Sequence, residues 1–191
     1  MLQQPDNEVW QFADLRYVMP VHVPPMFKLP AAIQRLRELV LQPEGFDRGT
    51  SRPKRIYLSR NDTKTRRIAN EADLSILLSE FGFQTVCVSG LRLSEQAHLF
   101  AEAEAIIGVK GAALANIIFC RAPCSVMVLS PADFPDPFFW DIAGQLGLRY
   151  AELFGPVTTS FQDSRNDFIV DLVAVARMLG AVLESGASGG G

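Results

Sequence analysis

A three-layer α/β/α fold around a parallel sheet is what this sequence predicts, and three observations carry the prediction. Short β-rich runs alternate with stretches of helical period from Arg55 to Leu153. Several of those runs are apolar on both faces, as strands are when helices cover both sides of a sheet. The chain has 191 residues, 48% hydrophobic and 20% charged, which excludes disorder and collagen-like repeats. Folding at this length buries roughly 70% of the unfolded chain's surface, enough for one core without staples.

The elements follow in order. Residues 1–50 read as an arm or connector, because Pro20, Pro24, Pro25, Pro30 and Pro43 interrupt any long element. Leu15–Val18 reads as a strand there, and Pro30 opens a helix carrying Ile33, Leu36, Leu39 and Val40. Residues 51–184 read as the folded domain, starting with a strand at Arg55–Ser59. Asn70 and Asp73 have the spacing of a capping box, Leu74, Leu77, Leu78 and Phe81 then make one helical stripe, and Gly82 stops it. Thr85–Val88 is the next strand, and Ser94 is placed to cap a helix through about Ala103. Strands follow at Ala105–Gly108, Ser125–Leu129 and Arg149–Leu153, with a helix at Asp136–Leu146 between the last two. From Asp167, the residues Phe168, Leu172, Val175, Leu179 and Val182 predict one final amphipathic helix. Residues 185–191, Ser-Gly-Ala-Ser-Gly-Gly-Gly, predict a flexible tail. The strand and helix order implies right-handed crossovers.

The net charge of −3 hides an asymmetry. Between positions 52 and 67 seven basic residues oppose Asp62 alone, a block of +6, and the rest of the chain carries −9. A basic block on an acidic protein argues against general nucleic-acid binding and fits either one small anionic ligand or a solvated loop. The cysteines Cys87, Cys120 and Cys124 sit in apolar company and read as small core residues of a reducing compartment. No zinc site is predicted, since the two histidines, His22 and His98, lack ligand spacing to them. No apolar run reaches the roughly 18 residues that span a bilayer, and no signal peptide opens the chain, so the expected location is cytoplasmic.

The segment most suggestive of chemistry is Ala105-Ile106-Ile107-Gly108-Val109-Lys110-Gly111-Ala112-Ala113-Leu114-Ala115-Asn116. A buried strand runs there into a glycine-bracketed turn and a helix of small residues. Helix N–H groups and Lys110 would attract an anion. The simpler reading is that small residues permit tight helix-on-sheet packing. The dinucleotide and P-loop fingerprints are absent, as are H-E-x-x-H, G-x-S-x-G and an Asp-x-Asp pair. His98 reads as a helix-face residue, and Trp10, Trp140 and the cluster Phe134, Phe138 and Phe139 read as packing residues rather than sugar platforms.

Four pieces in order, Arg55-Ile-Tyr-Leu-Ser-Arg60-Asn-Asp62, Arg66-Arg67-Ile-Ala-Asn70-Glu71, Leu93-Ser94-Glu-Gln96-Ala-His-Leu-Phe100 and Ile107-Gly108-Val-Lys110-Gly-Ala-Ala-Leu-Ala-Asn116-Ile-Ile-Phe119, resemble glycosyltransferase family 61. The resemblance covers roughly Tyr57–Leu129, and Asn166-Asp-Phe-Ile-Val-Asp171 is also similar. It implies a GT-B-type enzyme, of which residues 51–184 would be the second, Rossmann-like, nucleotide-sugar-binding domain. Residues 1–50 would then be a remnant of the acceptor domain, or a partner subunit or preceding domain would supply it. One departure is Lys110, where the family usually has histidine.

The resemblance further implies transfer of a sugar from a nucleoside-diphosphate sugar, most simply a UDP-sugar, to a glycan or polysaccharide acceptor, with inversion and without metal or other cofactor. It directs donor binding to Ser59, Arg60, Arg67, Asn70, Glu71, Lys110, Gly111, Ala112 and Asn116. Among these, Arg60, Lys110 and the N–H groups of Gly111 and Ala112 would hold the diphosphate, while Asn70 and Glu71 would orient the basic loop. No residue is assigned as catalytic base. The alternatives are a non-catalytic nucleotide- or partner-binding module, with the arm pairing two subunits, and an unrelated α/β protein with a solvated basic loop.

Overall fold

The computed structural model describes residues 28–41, 52–158 and 166–187, with side chains through Ala181. The strand expected at Leu15–Val18 and most of the arm lie outside these residues. Five parallel strands form one sheet: β1 (Arg55–Leu58), β2 (Gln84–Val86), β3 (Ala105–Val109), β4 (Ser125–Pro131) and β5 (Arg149–Gly155), in the order β2-β1-β3-β4-β5. The helices are α1 (Pro30–Val40), α2 (Glu71–Glu80), α3 (Leu93–Ala101), a 3-10 helix (Ala112–Phe119), α4 (Phe138–Leu146) and α5 (Leu172–Ala187).

Side-chain alternation builds two cores, one on each face of the sheet. Ile56, Ile106, Val126 and Val128 point to one face, against Phe100, Leu114, Ile117 and Ile142 from α3, the 3-10 helix and α4. Tyr57, Ile107, Met127 and Leu129 point to the other, against Leu74, Leu78, Val175 and Leu179 from α2 and α5. Three layers result, and the inner strands β3 and β4 are buried along their whole length. The fold is thus a Rossmann-like α/β fold. The connection from β1 to β2 runs toward one edge of the sheet through α2. The other three run toward the opposite edge and cross the opposite face, so all four crossovers share one hand.

Local details differ from the sequence expectations for identifiable reasons. Asn70 does not cap α2; its amide clasps the backbone of Val170 in both directions, at 2.8 and 3.0 Å. Ser94 lies inside α3, whose start is secured by Glu95 accepting from the Arg92 N–H at 2.7 Å. The small residues after β3 wind as a 3-10 helix rather than an α-helix. Phe168 falls outside the last helix and is fully buried, bridging Ile68 and Val157. Helix α5 begins only at Leu172 and continues past Glu184 to Ala187.

Candidate functional site

The strand order reverses between β1 and β3, and the chain leaves these two strands toward opposite faces. The parting opens a crevice at the carboxyl ends of the strands, the usual ligand position in open parallel sheets. A cleft of about 430 Å³ occupies it, lined among others by Ser59, Arg60, Asp62, Arg66, Gln96 and Ala112. A second lobe of about 270 Å³ adjoins it, sharing Arg66 and Ala112 and walled by Phe134, Asp136, Phe138 and Phe139.

The basic block divides between the two ends of β1. Arg52, Lys54 and Arg55 sit at its start and bond Glu102, the Glu102 carbonyl and the Phe81 carbonyl. Arg60 and Arg66 follow its end and face the cleft. The Nε atoms of both are buried without a hydrogen-bond partner among the described residues. Burial lowers the pKa of each, and for Arg60 the neighbouring Arg66 lowers it further while Asp62 works the other way. Two guanidinium groups, charged at any physiological pH, are thus held close together with donors to spare. Arg66 lies 5.3 Å over the Phe134 ring and has a left-handed backbone, φ 55°, uncommon for a residue with a Cβ. Gly111 makes room for its neighbour, since a Cβ there would sit 1.8 Å from Arg60 Nη1.

Around this pair the other expected site residues act mostly on the protein itself. Glu71 is buried and accepts from the Tyr57 hydroxyl and the Ser59 hydroxyl, both at 2.8 Å. Burial and the adjacent Glu71 carboxylate push the Tyr57 phenol well up. This fixes Ser59 at the cleft wall. Arg67 turns away from the cleft and grips Asp167 through Nε at 3.0 Å and Nη2 at 2.8 Å. Asn116 donates to Gln96 at 2.8 Å and to the Ala113 carbonyl, so it orients Gln96 rather than lining the cleft. Gly111 and Ala112 do border the site, with Ala112 between the two lobes.

Lys110 is placed otherwise than its sequence context suggests. Its side chain is 1% exposed and its Nζ has three partners: Glu152 Oε1 at 2.6 Å, the Asp136 carbonyl at 2.7 Å and the Phe134 carbonyl at 3.1 Å. An ammonium has three protons, so its donors are all used inside the protein. Ser130 and Tyr150 also donate to Glu152, each at 2.7 Å. The lysine therefore braces the loop after β4 instead of facing a ligand.

Three further placements differ from expectation. Cys120 and Cys124 are buried, but Cys87 is exposed at the cleft rim, donating to Asp62 at 3.3 Å. Hydrogen bonds from Ser89 and Cys87 hold the Asp62 carboxyl below its ordinary range. Trp140 is 55% exposed rather than packed. Phe134 and Phe138 are half-buried and line the second lobe together with Phe139, which is also part of the core. His98 bonds the Ser94 carbonyl on α3, as a helix-face residue does. Among the described residues no group of three or more His, Cys, Asp or Glu side chains converges, and no helix is long and apolar enough to cross a membrane. The sequence did not single out Arg66, which the structure places at the cleft. Nothing in Arg66-Arg67 tells which of two adjacent arginines faces inward until Asp167, a hundred positions on, takes the second.

No curated protein matches the chain. The family model described as Glycosyltransferase 61 matches residues 9–127, which is more than half of the chain and contains β1, β2, β3, the 3-10 helix and the cleft between them. By that match the chain belongs to the glycosyltransferase 61 family.

Proposed function

We propose that this chain is the donor-binding part of a GT-B-type glycosyltransferase and holds the diphosphate of a UDP-sugar in the cleft between β1 and β3. The observation that supports this best is the pair of buried Nε atoms on Arg60 and Arg66 that have no partner among the described residues. Unsatisfied buried donors are costly unless a ligand completes them. A diphosphate supplies two adjacent anionic groups, and guanidinium forks match their geometry. The first N–H groups of the 3-10 helix, at Ala112 and Ala113, have no helical acceptor and border the same cleft.

In this reading Arg60 and Arg66 stabilise the charge that builds on the UDP leaving group, the task a divalent cation performs elsewhere. The positive charge of the arginines and the absence of an Asp-x-Asp pair from the sequence support a metal-independent reaction. The sugar is transferred with inversion to a glycan or polysaccharide hydroxyl on the cytoplasmic side. The base that deprotonates this hydroxyl belongs to the acceptor-binding part. Glu71, Asn70, Arg67 and Asn116 are positioning residues, and Lys110 is the brace of the loop beyond the cleft.

Calorimetric titration with UDP, in buffer with and without EDTA, tests the reading. Binding that chelation leaves unchanged is the expected result. Abolition by EDTA would overturn metal independence, and no binding in either buffer would overturn the donor site. A second reading, a nucleotide-binding module without transferase activity, draws support from Lys110 at the position where the family usually has histidine. UDP binding with no sugar transfer when an acceptor-binding part is supplied would favour it.

A further inference from the structure

We infer that the aromatic lobe beside the cleft is the subsite for the donor's sugar, recognised by Asp136 and by the rings of Phe134 and Phe138; this rests on the cleft holding the diphosphate.

Continuity is the first argument. Arg66 and Ala112 line both the cleft and the lobe, so a ligand whose phosphates meet Arg66 has its next group at the lobe's mouth. Size assigns the two ends. The nucleoside is the bulkier part and fits the cleft of about 430 Å³, and a single sugar ring fits the lobe of about 270 Å³.

The lining supplies the chemistry a sugar ring needs. A pyranose presents an apolar C–H face and a rim of hydroxyl groups. The lobe offers two half-buried phenyl rings and one carboxylate, an apolar wall with a placed polar group. Asp136 Oδ1 accepts the Phe138 N–H at 2.9 Å, which fixes the carboxylate while using one of its roughly four acceptor positions. The others are available to sugar hydroxyls.

The lobe is also held in shape before any ligand arrives. Lys110 Nζ bonds the carbonyls of both Phe134 and Asp136, and Glu152 anchors the lysine. The Phe134 ring is near two cations, its centroid 5.5 Å from Lys110 Nζ and 5.3 Å from the Arg66 guanidinium. The buried pair thus connects the sugar wall to the phosphate-facing arginine through a single ring.

Asp136→Asn is the decisive variant, because asparagine keeps an Oδ1 acceptor for Phe138 and removes only the charge and one acceptor oxygen. Phe138→Ala is a second, with circular dichroism to verify folding. Each is titrated with UDP, UDP-glucose, UDP-N-acetylglucosamine and UDP-xylose. The expected result is a loss of about fivefold or more in affinity for at least one sugar nucleotide, with UDP affinity within about twofold of wild type. Equal losses for UDP and the sugar nucleotides would assign the lobe to the nucleotide and overturn the inference. Unchanged affinity for every ligand in Asp136→Asn, or binding of UDP but of none of the three sugar nucleotides to the wild type, would overturn it too. If the wild type binds no UDP, the cleft reading itself has failed, a result visible before any variant is made.

Discussion

Lys110 Nζ lies 2.6 Å from Glu152 Oε1, joining the end of β3 to β5 across the carboxyl edge of the sheet with both side chains largely buried. This ion pair settles what the one lysine of the small-residue segment does. Its charge is neutralised inside the protein, and the guanidinium groups that line the cleft are those of Arg60 and Arg66, after β1.

Lys110→Ala is therefore a stability variant. Removing one partner of a buried pair leaves the other charge uncompensated, a loss of about 3 kcal/mol even with the Ser130 and Tyr150 hydroxyls still on Glu152. Urea denaturation should register it, and the double variant Lys110→Met with Glu152→Gln should recover most of it. A Lys110→Ala protein as stable as wild type but deficient in UDP binding would return the lysine to the ligand.

Arg60→Ala and Arg66→Ala should behave in the opposite way. Each removes a charge-assisted contact, so UDP affinity should fall about tenfold to a hundredfold. Stability should hold or rise, because a buried donor with no partner among the described residues and the repulsion between two neighbouring cations are both relieved. Calorimetry and thermal melting on the same samples separate the two effects.

Gly111→Ala tests the seat of Arg60. The added Cβ would lie 1.8 Å from Arg60 Nη1, and the flexible end of the arginine moves aside more readily than the backbone. Affinity for UDP should drop while the melting temperature changes little. The same substitution made on an Arg60→Ala background should have almost no further effect.

How much of this was legible beforehand depended on how local each signal was. The sheet and its helices could be read because Ile56 to Leu58, Ala105 to Val109 and Ser125 to Leu129 carry apolar residues on both faces, and burial on both faces is itself the signal. Arg60 was singled out by the family resemblance and not by any pattern of burial, and the structure places it at the cleft just beyond β1. Asn70 misled because its amide has a stronger use, two bonds to Val170 a hundred residues away, than capping its own helix. Lys110 misled because its partner Glu152 is on another strand, and a lysine beside glycines looks alike whether its ammonium meets a ligand or a carboxylate. Cys87 was read as core from its valine neighbours, but β2 is an edge strand whose end faces the cleft rim. The second lobe is assembled from three separate loops and helices, so no segment of sequence announces it.

The Arg67 and Asp167 pair predicts a pH dependence. Burial of Asp167 favours its neutral form, but the hydrogen bonds from Arg67 outweigh this and hold its carboxyl below the ordinary aspartate value. A carboxyl depressed in the folded state contributes stability above its unfolded pKa of about 4 and loses it as pH falls through the lower folded value. Asp167→Asn should accordingly be less stable than wild type at pH 7. The difference should shrink to nothing as both are melted at successively lower pH below about 4.

The most direct measurement is nuclear magnetic resonance of the arginine Nε–H groups during a UDP titration, with each signal assigned by its loss in the corresponding Arg→Lys variant. The Nε–H signals of Arg60 and Arg66, which have no partner among the described residues, should shift together and saturate with UDP, while that of Arg67, held by Asp167, stays in place. Saturating UDP that leaves the Arg60 and Arg66 signals unmoved would contradict the account.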